Sequence, residues 1–177
     1  MLFRSWALYW ARLGVGDIRL SRGDLSAAFA AYQAASEMAD RLAKADPDSA
    51  VGQNDLPVAY IKVGDVLMAQ GNVVEALTSY QKGLAIIERL AKADPDNTDW
   101  QRDLVATSGR SGEALNRQGE VTLALDVLSQ GRAIATRLKE LLPDNAQLSH
   151  QLASFDSDIA KLKRQKQYNL KQTGGAQ

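Results

Sequence analysis

The chain has 177 residues, 45% hydrophobic and 24% charged, the composition of an ordinary folded protein with enough apolar residues for one well-packed domain. Lys plus Arg and Asp plus Glu both number 21, which argues against the basic field that a dedicated nucleic-acid binder uses. Cysteine is absent, which excludes disulfides, thiolate nucleophiles and cysteine metal sites and fits a reducing, cytoplasmic setting; no apolar run approaches the roughly 20 residues of a membrane span, and Arg4 and Arg12 interrupt the apolar opening.

The stretch Arg41-Leu42-Ala43-Lys44-Ala45-Asp46-Pro47-Asp48 returns letter for letter at 89 to 96, a shift of 48 residues. At the same shift Gly16-Asp17 falls on Gly64-Asp65, Gly23 on Gly71, Ala28 on Ala76 and Tyr32-Gln33 on Tyr80-Gln81. A further shift reaches Gly112, Gly119, Ala124, Gly131 and Pro143-Asp144, a third and more divergent copy, and a half copy begins near Asn145. A fixed period of this kind dictates stacked supersecondary units.

In chain order, helices are predicted over 2–22, 25–45, 49–70, 73–93, 98–118, 121–142 and 146–167. The first reads as truncated or newly begun, because it has no preceding cap, and the expectation is that the chain is the downstream part of a longer product. The second starts at Asp24, a capping residue behind Gly23. Its apolar stripe Leu25, Ala28, Phe29 and Tyr32 recurs as Val73, Ala76, Leu77 and Tyr80, then as Val121, Ala124, Leu125 and Leu128. The third contains Pro57, which either kinks it or delays its start to about Asp55, where the carboxylate would cap. Asn72 with Glu75 predicts a capping box on the fourth. Asp-Pro-Asp segments close the second helix of a pair, and the polar residue that follows caps the next helix. The seventh ends in the cationic run Lys161-Leu162-Lys163-Arg164-Gln165-Lys166, suited to a solvating cap or, alternatively, to a phosphate or nucleic-acid contact; 168–177 is predicted to be a disordered tail. The division is one domain over 1–167, with repeats of about 1–46, 47–94 and 95–143 and a half repeat over 144–167.

The run Tyr60, Val63-Gly64, Leu67, Gly71, Ala76, Tyr80 and Gly83 resembles a tetratricopeptide repeat. Copy one departs from that pattern at Arg12 and Arg19, and copy three at Ser108, Ser111 and Leu128. The period of 48 exceeds the ordinary one of about 34 and resembles the longer bacterial, kinesin-light-chain-like form. The resemblance implies an all-α fold, a right-handed solenoid of antiparallel helix hairpins with about seven helices. It also implies a concave groove lined by the first helix of each pair. Carried over by position, that groove presents Trp10, Leu13, Asp17 and Leu20, then Val58, Ile61, Asp65 and Met68, then Ala106, Gly109, Glu113, Asn116 and Arg117, with Ser157 and Lys161 at the far end.

Asp17, Asp65 and Glu113 read in two ways: as an acidic line favouring a mildly basic, apolar peptide, or as part of the repeat's own packing. The family's clamp for a terminal carboxylate is not expected, since Leu13, Asp17 and Ala106 stand at its positions. His150 reads as a surface helix residue. Asp94 to Asp99 lacks the turn glycine and closing glutamate of a calcium loop, and Val105 stands where that glutamate belongs. Gly14-Val15-Gly16 and Ser108 to Gly112 match no phosphate-binding or nucleophile motif. Trp6, Trp10 and Trp100 read as core or cap residues before stacking platforms. The reading is therefore a noncatalytic protein-binding scaffold without cofactor or metal, one arm of a larger protein. The alternatives are a self-associating module and the regulatory region of an enzyme whose catalytic domain lies upstream.

Overall fold

The computed structural model describes residues 2–46 and 50–174. Seven α-helices and no strand occur among them: α1 Leu2–Ser21, α2 Leu25–Ala45, α3 Ala50–Ala69, α4 Val73–Ala93, α5 Thr98–Arg117, α6 Val121–Leu141 and α7 Ala146–Gly174. None is long and apolar enough to cross a membrane.

The turn inside each pair is set by one glycine. Gly23, Gly71 and Gly119 have φ of 76°, 82° and 83°, a left-handed backbone that costs glycine little. In each turn the next residue's N–H reaches five residues back: Asp24 to the carbonyl of Arg19, Asn72 to Leu67 and Glu120 to Leu115, at 3.0, 2.9 and 2.9 Å. The chain therefore reverses the same way three times. Asp24 caps α2 by accepting from the Ala27 N–H at 3.1 Å, Asn97 caps α5 through the N–H groups of Asp99 and Trp100, and Asn145 caps α7 through Leu148. The side chain of Asn72 donates to Gln70 at 3.5 Å. The first Asp-Pro-Asp segment, from Pro47 on, and the polar residue expected to cap the helix after it lie outside the described residues.

Two expectations need correction. Helix α3 is not delayed to Asp55: it begins at Ala50 and runs through Pro57. Helix α7 does not end near residue 167. Nothing between Lys163 and Gln172 breaks a helix, and Gln172 donates to the Tyr168 hydroxyl one turn back at 3.0 Å, so the helix continues to Gly174. Of the predicted tail, 175–177 lies outside the described residues.

The chain divides into two compact units, Met1–Leu90 and Ala91–Gln177. In the first, α2 packs on both α1 and α3, around Tyr9, Ala28, Tyr32, Ala35, Ala59, Val66, Ala76 and Tyr80. Tyr9 donates to the backbone carbonyl of Asp55 at 2.7 Å, tying α1 to α3. In the second, α6 packs on both α5 and α7, around Ala114, Ala124, Leu128, Ala135, Leu138, Leu148, Phe155 and Leu162. Gly131 lets α6 approach its neighbours closely, since a Cβ there would lie 2.7 Å from Ser108 and 2.9 Å from the Phe155 ring.

Candidate functional site

In the first unit, the tyrosine of each second helix lies against the glycine of the first. A Cβ on Gly16 would sit 2.5 Å from Tyr32 Cδ1, and one on Gly64 would sit 2.6 Å from Tyr80 Cδ1. Each ring thereby carries its hydroxyl to the acid one residue on. Tyr32 donates to Asp17 at 2.6 Å and Tyr80 to Asp65 at 2.9 Å. Lys62 on α3 completes the first arrangement, 2.6 Å from Asp17 and 5.7 Å above the Tyr32 ring. Burial alone would raise the Asp17 carboxyl, but the hydrogen bonds from Lys62 and Tyr32 and the Lys62 charge hold it below the usual carboxylate range. Burial, followed by the bond to Asp17, pushes the Tyr32 phenol upward.

Copy three is built differently. Leu128 stands where the tyrosines were and packs on Gly112, so no phenol comes from this position to Glu113; that carboxylate instead accepts from Arg117 at 2.7 Å. The three acids of the predicted line are thus all engaged, Asp65 and Glu113 within their own copies and Asp17 both within its copy and by Lys62 of the next.

Between α5 and α7, over α6, lies a groove of about 490 Å³. Val105, Leu128, Phe155 and Leu162 give it an apolar floor, and Gly109 leaves one wall without a side chain. Its rim carries Asn116, Gln151, Ser154 and Gln165, with Arg110 and Lys161 set against Glu113 and Asp158. Lys161 pairs with Asp158 at 2.9 Å. Charges on the lining cancel, while the floor stays apolar.

Of the residues placed by sequence, this groove brings together Ala106, Gly109, Glu113, Asn116 and Lys161. Arg117 reaches it only through Glu113, and Ser157 is not part of the lining; Ser154 and Asp158 take its place. In the first unit Leu13 is buried, Val58, Ile61, Asp65 and Met68 are half-buried, and Asp17 faces solvent beside Lys62. Trp10, expected in the core or at a cap, is half exposed and packs edge-on to Tyr9 at 5.2 Å. The floor residues Leu128 and Phe155 were not predicted as site residues. Their signal was a leucine in place of the repeat's tyrosine, and a phenylalanine where copies two and three have Ala59 and Thr107 at the same period. A second groove, of about 410 Å³, opens between α2 and α4 and carries Glu37, Asp40, Glu75 and Lys82, with the Lys82 ammonium 5.6 Å from the Tyr60 ring. No group of three or more metal-ligating side chains occurs among the described residues, and His150 is exposed.

These features define a helical-repeat protein of stacked hairpins. Its fold is similar to that of the yeast histone chaperone Hif1, described as a scaffold protein recruiting protein complexes to core histones, with a TM-score of 0.57 and 17% identity over 75% of this chain and 55% of that one. The chain thus spans little more than half the length of that protein. No family profile matches the sequence, and no curated protein matches it.

Proposed function

We propose that the chain is a noncatalytic interaction scaffold, a tetratricopeptide-type repeat of the long-period bacterial form working in the cytoplasm, and that the groove between α5 and α7 holds a segment of a partner protein. The groove itself carries the proposal: an apolar floor under a polar, charge-balanced rim accepts apolar side chains while leaving hydrogen-bonding groups for the partner's backbone. The likeness to a scaffold that recruits complexes supports the same reading. The sequence leaves Asp17, Asp65 and Glu113 either as an acidic line favouring a mildly basic, apolar partner or as part of the repeat's own packing. Their bonds to Tyr32 and Lys62, to Tyr80 and to Arg117 support the packing role. Trp10, Val58, Ile61 and Met68 are proposed as a further contact strip on α1 and α3.

Gly109→Trp is the direct test. A Cβ at Gly109 meets nothing nearer than the Phe155 ring at 3.9 Å, so the variant should fold as the parent does while its indole fills the groove. Peptides selected from a random display library on the intact chain are expected to lose at least tenfold in affinity for the variant, with helicity unchanged. Selected peptides that bind both forms equally would remove the groove from the function.

A further inference from the structure

The groove between α2 and α4 differs in kind from the one between α5 and α7. Phe29, Tyr60, Val63 and Leu67 give it an aromatic and aliphatic floor, and its volume is about 410 Å³. Where the α5–α7 lining sets Arg110 and Lys161 against Glu113 and Asp158, this one sets Glu37, Asp40 and Glu75 against the single ammonium of Lys82. Asp40 is matched by Lys44 at 2.6 Å, and Glu37 accepts from the neutral Gln33 amide at 3.3 Å. Glu37 and Glu75 are exposed and stand on the two helices that flank the groove, so its rim keeps an acidic excess.

Helix packing does not require these residues. One period on, the positions of Glu37, Tyr60, Glu75 and Lys82 hold Ala85, Ser108, Leu123 and Gln130; one period back, those of Tyr60, Glu75 and Lys82 hold Arg12, Ala27 and Ala34. The whole lining comes from α2, α3 and α4, so the groove is complete inside one unit. Tyr60 already carries a cation on its face, the Lys82 ammonium 5.6 Å from the ring centre. The Asp40 charge acts on the same ring: after burial it is what raises the Tyr60 phenol, with Lys44 opposing it. A ring that holds an ammonium among carboxylates suits a guanidinium better, because the planar fork both stacks on the ring and bonds a carboxylate through two N–H groups.

We infer that the α2–α4 groove is a second docking site, and that it receives a basic, amphipathic segment of a partner protein. The segment's apolar side chains meet Phe29, Val63 and Leu67, while an arginine takes the place of the Lys82 ammonium over Tyr60 and pairs with the rim carboxylates. Lys82 is exposed and can leave the ring for water. The acidic excess selects the occupant, since a neutral or acidic segment gains nothing from Glu37 and Glu75.

The probe is a fluorescein-labelled heptapeptide that alternates Leu and Arg, so that an extended segment turns leucines to the floor and arginines to the rim. It is titrated against the intact chain by anisotropy. Saturable binding is expected, at least tenfold tighter than for the same peptide with citrulline, an uncharged isostere, at every arginine. Glu37→Gln with Glu75→Gln in the chain should weaken it at least tenfold with helicity unchanged, because both side chains are exposed. Lys82→Ala should strengthen it about threefold by removing the competing ammonium. Binding should be the same on Gly109→Trp, and on Asp94→Asn with Asp96→Asn, a control pair of exposed acids before α5. No saturation at millimolar peptide overturns the inference, as does equal binding of the citrulline peptide. A loss shared by the Asp94 and Asp96 control would mean diffuse attraction to acids, and a loss on Gly109→Trp would move the peptide to the α5–α7 groove; either overturns the second site and leaves the first standing. Self-association of the unliganded chain that Glu37→Gln with Glu75→Gln abolishes would assign the groove to a second copy and overturn the inference equally.

Discussion

Gly64→Ala is expected to be among the most damaging single-methyl additions in the chain. The new Cβ would stand 2.6 Å from Cδ1 of Tyr80, a ring that is buried and held from its far end by the hydroxyl bond to Asp65. The ring cannot retreat without breaking that bond, so the overpacking cost of about 1–3 kcal/mol comes with about 1 kcal/mol for the lost hydrogen bond. Alanine's better helix propensity returns about 1 kcal/mol, leaving a net loss of about 1–3 kcal/mol. Thermal unfolding should register this as a fall of about 2–12 °C in Tm. Gly14→Ala, inside α1, has nothing within 4 Å of its Cβ and should instead stabilise by up to about 1 kcal/mol. Adding Tyr80→Leu to Gly64→Ala should cost less than the sum of the two single changes, because both act on one contact. Equal melting temperatures for Gly64→Ala and Gly14→Ala would refute the close approach of ring and glycine.

Asp55→Asn should stabilise the protein at neutral pH and do nothing at pH 4. Asp55 is only 7% exposed and its Oδ2 has no hydrogen-bond partner, so burial pushes its carboxyl up to about 6. In the unfolded chain the group titrates near 3.9. Between those values the folded state holds a proton that the unfolded state has released, so stability falls as pH rises through the window. Above it the ionised carboxylate costs on the order of 2–3 kcal/mol. Asparagine has no charge to bury, and the Tyr9 hydroxyl bond is to the backbone carbonyl of residue 55, which the substitution retains. The measurement is the difference in unfolding free energy between variant and parent across pH 4 to 8, in which the other titrating groups cancel. A difference that stays flat over that range would mean that Asp55 is solvated or paired.

The same two residues mark how far the sequence can be read. Gly23, Gly71, Gly119 and the Asp-Pro steps act on their own few neighbours, through a left-handed φ and a missing N–H. They placed six helices within a residue of their observed ends, and the repeat named the tyrosine, glycine and acid positions. α7 overran its predicted end because the sequence there carries no stop signal before Gly174, and a cationic run in itself does not end a helix.

Chain-local rules do not say which partner a side chain meets across the fold. In sequence, Asp17 and Asp65 fit either a ligand contact or the repeat's own packing, and the tyrosines fifteen residues on, which donate to them, favour packing. Asp55 and Asp103 share a repeat position, yet Asp55 is buried and Asp103 exposed. Leu8, Val15 and Ile18 repeat the pattern of Leu56, Val63 and Val66, yet the first three are about half exposed and the last three buried. Leu128 was visible as a departure from the repeat, but the groove above it needed Phe155 and Leu162 from a helix more than twenty residues away. Periodicity therefore determined the repeating unit, because backbone geometry is local. Tertiary packing decided the work of each copy, because burial, charge pairing and open volume depend on neighbours that the chain brings together only when it folds.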